Sequence, residues 1–145
     1  MAKWMQSMSR ALLGGLLALG VFALPAAAGA ADKAKLVIQV SDNDPAKWNL
    51  ALNNAKNIQK DLGQDKVELE IVAYGPGIGM LKAESEVANR VAEAVDSGVK
   101  VVACENTMRS QKLGRADMNG KIGYVPAGVV EIMQRQQQGY AYLRP

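Results

Sequence analysis

Lys66-Val-Glu-Leu-Glu-Ile-Val-Ala-Tyr74 first alternates polar with apolar side chains and then becomes wholly apolar, as a strand does on entering a buried sheet. It ends in Gly75-Pro76-Gly77-Ile78-Gly79, which reads as a loop. On its N-terminal side, Trp48, Leu52, Ala55, Ile58 and Leu62 recur at helical spacing between Pro45 and Gly63, with Asp44 as N-cap; this predicts a helix over 45–62. Before that helix stands a β-branched run, Lys35 to Ser41, closed by the turn cluster Asp42-Asn43-Asp44. On the C-terminal side, Val87, Val91, Ala94 and Val95 form one face of a second helix stopped by Gly98, and Val99 to Cys104 follows as a strand. Thr107 to Gly114 suits a short helix and Ile122 to Val125 a fourth strand. Val129, Val130, Ile132 and Met133 stripe a last helix ending near Gly139, and the tail Tyr140 to Pro145 alternates aromatic with small residues. Strand and helix in regular succession predict a mostly parallel sheet of four to five strands with helices on both faces. Such sheets bind ligands beyond the carboxyl ends of their strands.

The chain has 145 residues, 49% of them hydrophobic, with no His and one Cys. The absence of His rules out Ser-His-Asp and Cys-His chemistry, and one Cys allows neither an intrachain disulfide nor a zinc site of the usual Cys and His type. The formal charge of +3 invites a nucleic-acid reading. Residues 1–31, however, have the build of a cleavable secretory signal: Lys3 and Arg10, the apolar run Ala11 to Leu24, then Pro25 and small residues. Ala26-Ala27-Ala28 and Ala28-Gly29-Ala30 both fit a signal peptidase, so cleavage is expected after Ala28 or Ala30. A retained anchor is the alternative, but the strongly apolar run is shorter than the roughly 18 to 20 residues a span needs. The leader takes Lys3 and Arg10 with it, which leaves one near-neutral domain, 32–145, for an exported and hence periplasmic protein. Its small net charge and the lack of aromatic interleaving in its basic stretch argue against a nucleic-acid partner. Once the leader is cleaved, no stable membrane association is expected.

Cys104 ends the third strand and precedes Glu105-Asn106-Thr107, a helix start. Unpaired backbone N–H groups there stabilise a thiolate over a thiol, as a sulfur nucleophile or persulfide carrier needs. A small buried hydrophobe is the structural alternative, and the Glu105 carboxylate works against ionisation. The 75–79 loop fails the dinucleotide fingerprint, because Met80 stands where its third glycine would be and Pro76 lacks an N–H. A tight turn against a neighbouring pocket suits it better. A flavin or nucleotide cofactor has only fold analogy behind it, so no cofactor is expected. Arg109, Lys112, Arg115 and Lys121, with only Asp117 among them, make 109–121 basic: either solvated surface or an attractor for a small anion such as thiosulfate or for an acidic partner. Asp42 and Asp44 suit a turn and an N-cap better than a metal site. Trp48, Tyr140 and Tyr142 suit packing or a subunit contact.

Tyr74-Gly-Pro-Gly-Ile78, Val101-Val-Ala-Cys-Glu-Asn-Thr-Met108 and Pro126-Ala-Gly-Val-Val-Glu-Ile132, continued by Arg135-Gln136, Gly139-Tyr140 and Tyr142-Leu-Arg-Pro145, together resemble the DsrE/DsrF-like sulfur-relay family in its small exported branch. The resemblance covers nearly all of 35–145. It implies a flavodoxin-like three-layer sandwich, assembly into homo-oligomers such as trimers or hexamers, and, in some members, sulfur transfer through a cysteine persulfide. Cys104 matches the family's cysteine, and the loop Gly75, Pro76 and Gly77 is the one that faces it. Asn106 and Thr107 share the cysteine's own loop, and Arg109 follows as a substrate-binding candidate. Tyr74 departs from the pattern, since many members have His at this place. The function implied is sulfur relay, with Cys104 taking sulfane sulfur from a donor protein or small compound and passing it to an acceptor. The rival is a non-enzymatic oligomeric module in which Cys104 only lines a pocket.

Overall fold

The computed structural model describes residues 32–145; the expected leader lies outside them. Strands β1 (Ala34–Val40), β2 (Val67–Ala73), β3 (Lys100–Cys104), β4 (Gly123–Val125) and β5 (Ala141–Leu143) form one sheet in the order β4-β3-β2-β1-β5, every neighbouring pair parallel. Between them run α1 (Pro45–Leu62), α2 (Ala88–Asp96), α3 (Glu105–Ser110) and α4 (Gly128–Gln137). The start of α1 is fixed as its sequence demands: Asp44 Oδ1 accepts from Ala46 N–H at 2.9 Å, with Pro45 in the first turn.

From β1 to β4 each strand is laid down beside the last in one direction. Right-handed crossovers then put the connecting helices on one face. That face carries the larger core, in which Ile38, Ile71 and Val101 of the sheet meet Trp48 and Leu52 of α1, Val91 of α2 and Met108 of α3. The chain returns from β4 to the far side of β1 by way of α4, which covers the other face. There Val37, Val72, Val102 and Val125 pack with Ile132. The three layers are those of the expected flavodoxin-like sandwich, with a sheet that is wholly rather than mostly parallel.

Three local expectations are corrected. Residues 75–79 belong to a 3-10 segment, Gly75–Leu81, and are not an irregular loop; its middle is buried. The tail supplies β5, held by parallel pairing to β1. In α4 only Ile132 of the apolar stripe is buried among the four: Val129, Val130 and Met133 are 57%, 42% and 52% exposed. The stripe is too wide for its task, because among the described residues α4 is the one helix on its face and has one side to cover.

Candidate functional site

Adjacent strands β3 and β4 send the chain to opposite faces. After β3 it enters α3, packed with α1 and α2 through Met108, and after β4 it enters α4 through Pro126 and Ala127. Divergence of this kind opens a crevice at the carboxyl edge of an α/β sheet. Cys104 is the last residue of β3, in register with Val125, the last of β4, and so stands at the floor of that crevice.

Cys104 is reduced and only 5% exposed. Burial pushes its thiol up, but the donors around the sulfur outweigh that effect and the net displacement is downward from 9.0. The Thr107 hydroxyl acts most strongly, followed by the backbone N–H groups of Gly128, Thr107 and Asn106. The Asn106 N–H also donates to Pro126 O at 3.1 Å, so its hold on the sulfur is divided. A thiolate needs donors in this way, and a buried thiol of purely packing type does not. Glu105, expected to oppose ionisation, pairs at 3.0 Å with Arg115, which offsets its charge.

Thr107 also joins the glycine segment to the sulfur. Gly75 N–H donates to Thr107 Oγ1 at 2.9 Å, which leaves the hydroxyl proton free for Cys104. Gln111 Nε2 closes the other side by donating to Gly75 O at 3.2 Å. Gly75 has φ +54°, a conformation that favours glycine. Gly77 is needed for space: a Cβ there would lie 2.3 Å from Val40 O, at the end of β1. Gly75, Thr107 and Cys104 are thus brought together. Gly77 serves the turn, and Pro76 faces a hollow of 270 Å³ with Asn43, Gly79, Lys82 and Gln111, which does not include the cysteine. Asn106 and Thr107, expected on a loop, lie in the first turn of α3, where Asn106 Oδ1 accepts from Arg109 Nη2 and so holds that guanidinium one turn from the cysteine.

The basic stretch is less free than its composition promises. Arg115 is taken by Glu105 and stacks on the Tyr124 ring 4.3 Å away, and Lys121 pairs with Asp96. Arg109 and Lys112 remain as anion-facing candidates. Asp44 caps α1, and Asp42 pairs with Lys47 and Arg144 at 3.1 and 3.3 Å, its carboxyl held below the usual range first of all by Lys47. A groove of 480 Å³ between α1 and α2 is larger than the hollow at Pro76, but it holds none of these residues. Two of its polar linings are engaged across the groove, Gln59 with Ser97, and Arg90 is held by Asn49 and Asn53 of α1.

Gly128 was not among the sequence candidates. Its contribution is a backbone N–H, which leaves no side-chain signature. The one trace in the sequence is a glycine just inside a helix start: here a Cβ would meet Tyr74 Cβ at 3.0 Å. Tyr74 packs with the α4-side core, where α4 begins.

Comparison with known proteins places this geometry in context. No curated protein matches the chain. Among solved structures, MTH1491 of Methanobacterium thermoautotrophicum, a protein of unknown function, is 33% identical, with a TM-score of 0.74 over 78% of this chain and 100% of its own. BT1422 of Bacteroides thetaiotaomicron, also of unknown function, shares the fold at 16% identity, with a TM-score of 0.63 over 77% of this chain and 94% of its own. The family model that matches spans residues 34–145, both faces of the sheet and the cysteine crevice included, and by that match the chain belongs to the DsrE/DsrF-like family.

Proposed function

We propose that this member of a sulfur-relay-type family is an exported, periplasmic sulfur carrier that works through a persulfide on Cys104. The observation that carries the reading is the placing of Cys104 at the carboxyl end of β3, in register with the end of β4 and in one turn with Thr107, whose Oγ1 is held by Gly75 N–H at 2.9 Å. Burial raises the thiol, and the donors around it, the Thr107 hydroxyl and the Gly128 N–H foremost, more than offset that effect. The thiolate attacks the outer sulfur of a donor persulfide, R–S–SH. A new S–S bond forms on Cys104 as the donor's S–S bond breaks, RS⁻ leaves and takes up a proton, and no net oxidation occurs. The outer sulfur then extends about 2 Å beyond Sγ into the crevice, which relieves the limited access of a cysteine so deeply set. Asn106 and Arg109, on α3 directly after the cysteine, receive its negative charge, and a partner thiol removes the sulfur by the reverse exchange. No imidazole takes part, since the chain has no His. Assembly into a homo-oligomer, trimer or hexamer, belongs to the same reading.

Intact-mass spectrometry after incubation with a sulfane donor tests it. The expected result is a gain of about 32 Da, one persulfide sulfur, on the wild type and none on Cys104→Ser. The same gain on Cys104→Ser, or none on the wild type, refutes the reading.

The 5% exposure of Cys104 favours a second reading, a non-enzymatic binding or assembly module in which the thiol only lines the crevice. On that reading the thiol labels slowly, and Cys104→Ala keeps its oligomeric state and its partner. Rapid alkylation by a small reagent would count against it.

A further inference from the structure

On the α4 face of the sheet, beneath the middle of that helix, lies a group of charges that the sulfur chemistry does not use. Glu70 of β2 is 1% exposed and sits in register with Lys100 of β3. Lys100 Nζ lies 3.3 Å from Glu70 Oε1 and 3.4 Å from Glu131 Oε1, so it joins the sheet to α4. Arg135, one turn beyond Glu131, lies 2.5 Å from Glu70 Oε2 and 2.9 Å from Glu131 Oε1. Its Nε–H is directed at Glu131, and neither oxygen of Glu70 has a hydrogen bond of its own. The surrounding charged and titratable groups are Tyr140, which donates to Glu68 at 2.8 Å and lies under Arg135, and Lys35 over the same ring. Of the four only Glu70 is buried, the side chains of Lys100, Glu131 and Arg135 being 49%, 15% and 20% exposed, and burying one charge of such a group often stabilises a fold no better than apolar packing. What it does supply is a fixed position: opposite charges on β2, β3 and α4 allow one register of the helix along the sheet.

That register matters at the other end of the helix, because α4 begins at Gly128, just after Val125, which is in register with Cys104, and Pro126, whose carbonyl accepts from Asn106 N–H at 3.1 Å. Its first turn therefore lies against the cysteine's turn, with the Gly128 N–H among the groups that lower the thiol. We propose that Glu70, Lys100, Glu131 and Arg135 act as positioning residues for Cys104, clamping α4 so that its first turn stays fixed beside the cysteine. The proposal rests on the reading of Cys104 as the working thiol. The cluster acts through the helix, since Arg135 stands about 10 Å along α4 from Gly128 at ~1.5 Å per residue. Glu70 supplies the clamp's adjustable member. Burial first, and then the neighbouring Glu131 carboxylate, push its carboxyl above the ordinary 4.5, while Glu131 is lowered.

The test is the Cys104 titration followed by ultraviolet thiolate absorbance, which needs no sulfur donor. It therefore separates failure of this proposal from failure of the sulfur-carrier reading. Arg135→Met leaves the two carboxylates opposed with only Lys100 between them. The expected result is a thiolate midpoint raised by about 0.5 to 1 unit, or roughly 3- to 10-fold less thiolate at pH values below the midpoint. Adding Glu70→Gln removes the repulsion and gives Glu131 a donor, and should recover at least half of that shift. Because direct charge effects are screened at about 1 M salt, where the Debye length is about 3 Å, a positional effect persists there. An unchanged midpoint in folded Arg135→Met, no recovery in the double variant, or a shift abolished by salt would each overturn the proposal. Should Arg135→Met not fold, the wild type decides: the Gly128 amide resonance follows two titrations, one of Glu70 and one of Cys104, and a curve with the thiol step alone overturns it.

Discussion

Thr107 is the residue on which the sulfur site turns, because its one hydroxyl does two jobs. It accepts from Gly75 N–H at 2.9 Å and acts on Cys104 more strongly than any other donor. Thr107→Val keeps the shape and removes the hydroxyl on which Gly75 and Cys104 both depend. The Cys104 thiolate midpoint should rise by about 1 unit in this variant, while Thr107→Ser keeps a midpoint near that of the wild type. Thiolate absorbance against pH measures both, and a Val variant titrating with the wild type would show that the backbone donors suffice. Cys104 could be read from the sequence because an apolar run ends on it just before a polar helix start, and Thr107 because it shares that loop. Gly128 could not, since its backbone donor comes from an element more than twenty residues further on. Glu70 was equally hidden. It sits in the alternating part of Lys66 to Tyr74, where a carboxylate reads as solvated, and only the return of α4 over that face buries it.

Among the elements, those with strong signals fell where the sequence put them. The helix expected over 45–62 is α1 with the same bounds, and the apolar ends of β1, β2 and β3 are the buried strands. Weak signals gave less. β5 is three residues long and gains its place by pairing with β1, a contact made across most of the chain. The 3-10 segment Gly75–Leu81 has glycine and proline spacing that also suits an irregular loop. The stripe of α4 was read as core, and most of it faces outward. Val129, Val130 and Met133 form an exposed apolar surface on one short helix beside the crevice, with Tyr142 of β5 exposed on the same side of the sheet. This surface is the natural contact for the proposed homo-oligomer. Val129→Lys with Met133→Lys should lower the sedimentation coefficient toward that of a single chain. These substitutions are cleaner than deleting the tail, because Leu143 of β5 also packs against the larger core. A coefficient unchanged by both lysines would place the subunit contact elsewhere.

At the scale of the molecule, the two faces of the sheet differ in kind. One is a broad apolar core under α1, α2 and α3; the other is a strip of valines beside a group of charges centred on the buried Glu70, under α4. Stability should therefore respond to pH through the α4 face. Glu70 is raised above 4.5, so the folded chain holds its proton more tightly than the unfolded one, and stability is lost as pH rises from 4.5 through the raised value. Glu131 has the opposite sign: its lowered carboxyl contributes above 4.5, and that contribution is lost as pH falls through its folded value. Cys104, lowered from 9.0, adds stability that is complete above 9.0 and is lost as pH falls through the folded value. Urea unfolding across this range should show a fall just above pH 4.5 and a rise on the approach to pH 9.0. Glu70→Gln should remove the fall and leave the rise, and Cys104→Ser should remove the rise and leave the fall. Both features surviving in both variants would mean that other groups set the pH response. Each variant removing only its own feature would assign the acid-side response to the carboxylate beneath α4 and the alkaline response to the thiol at the helix's first turn.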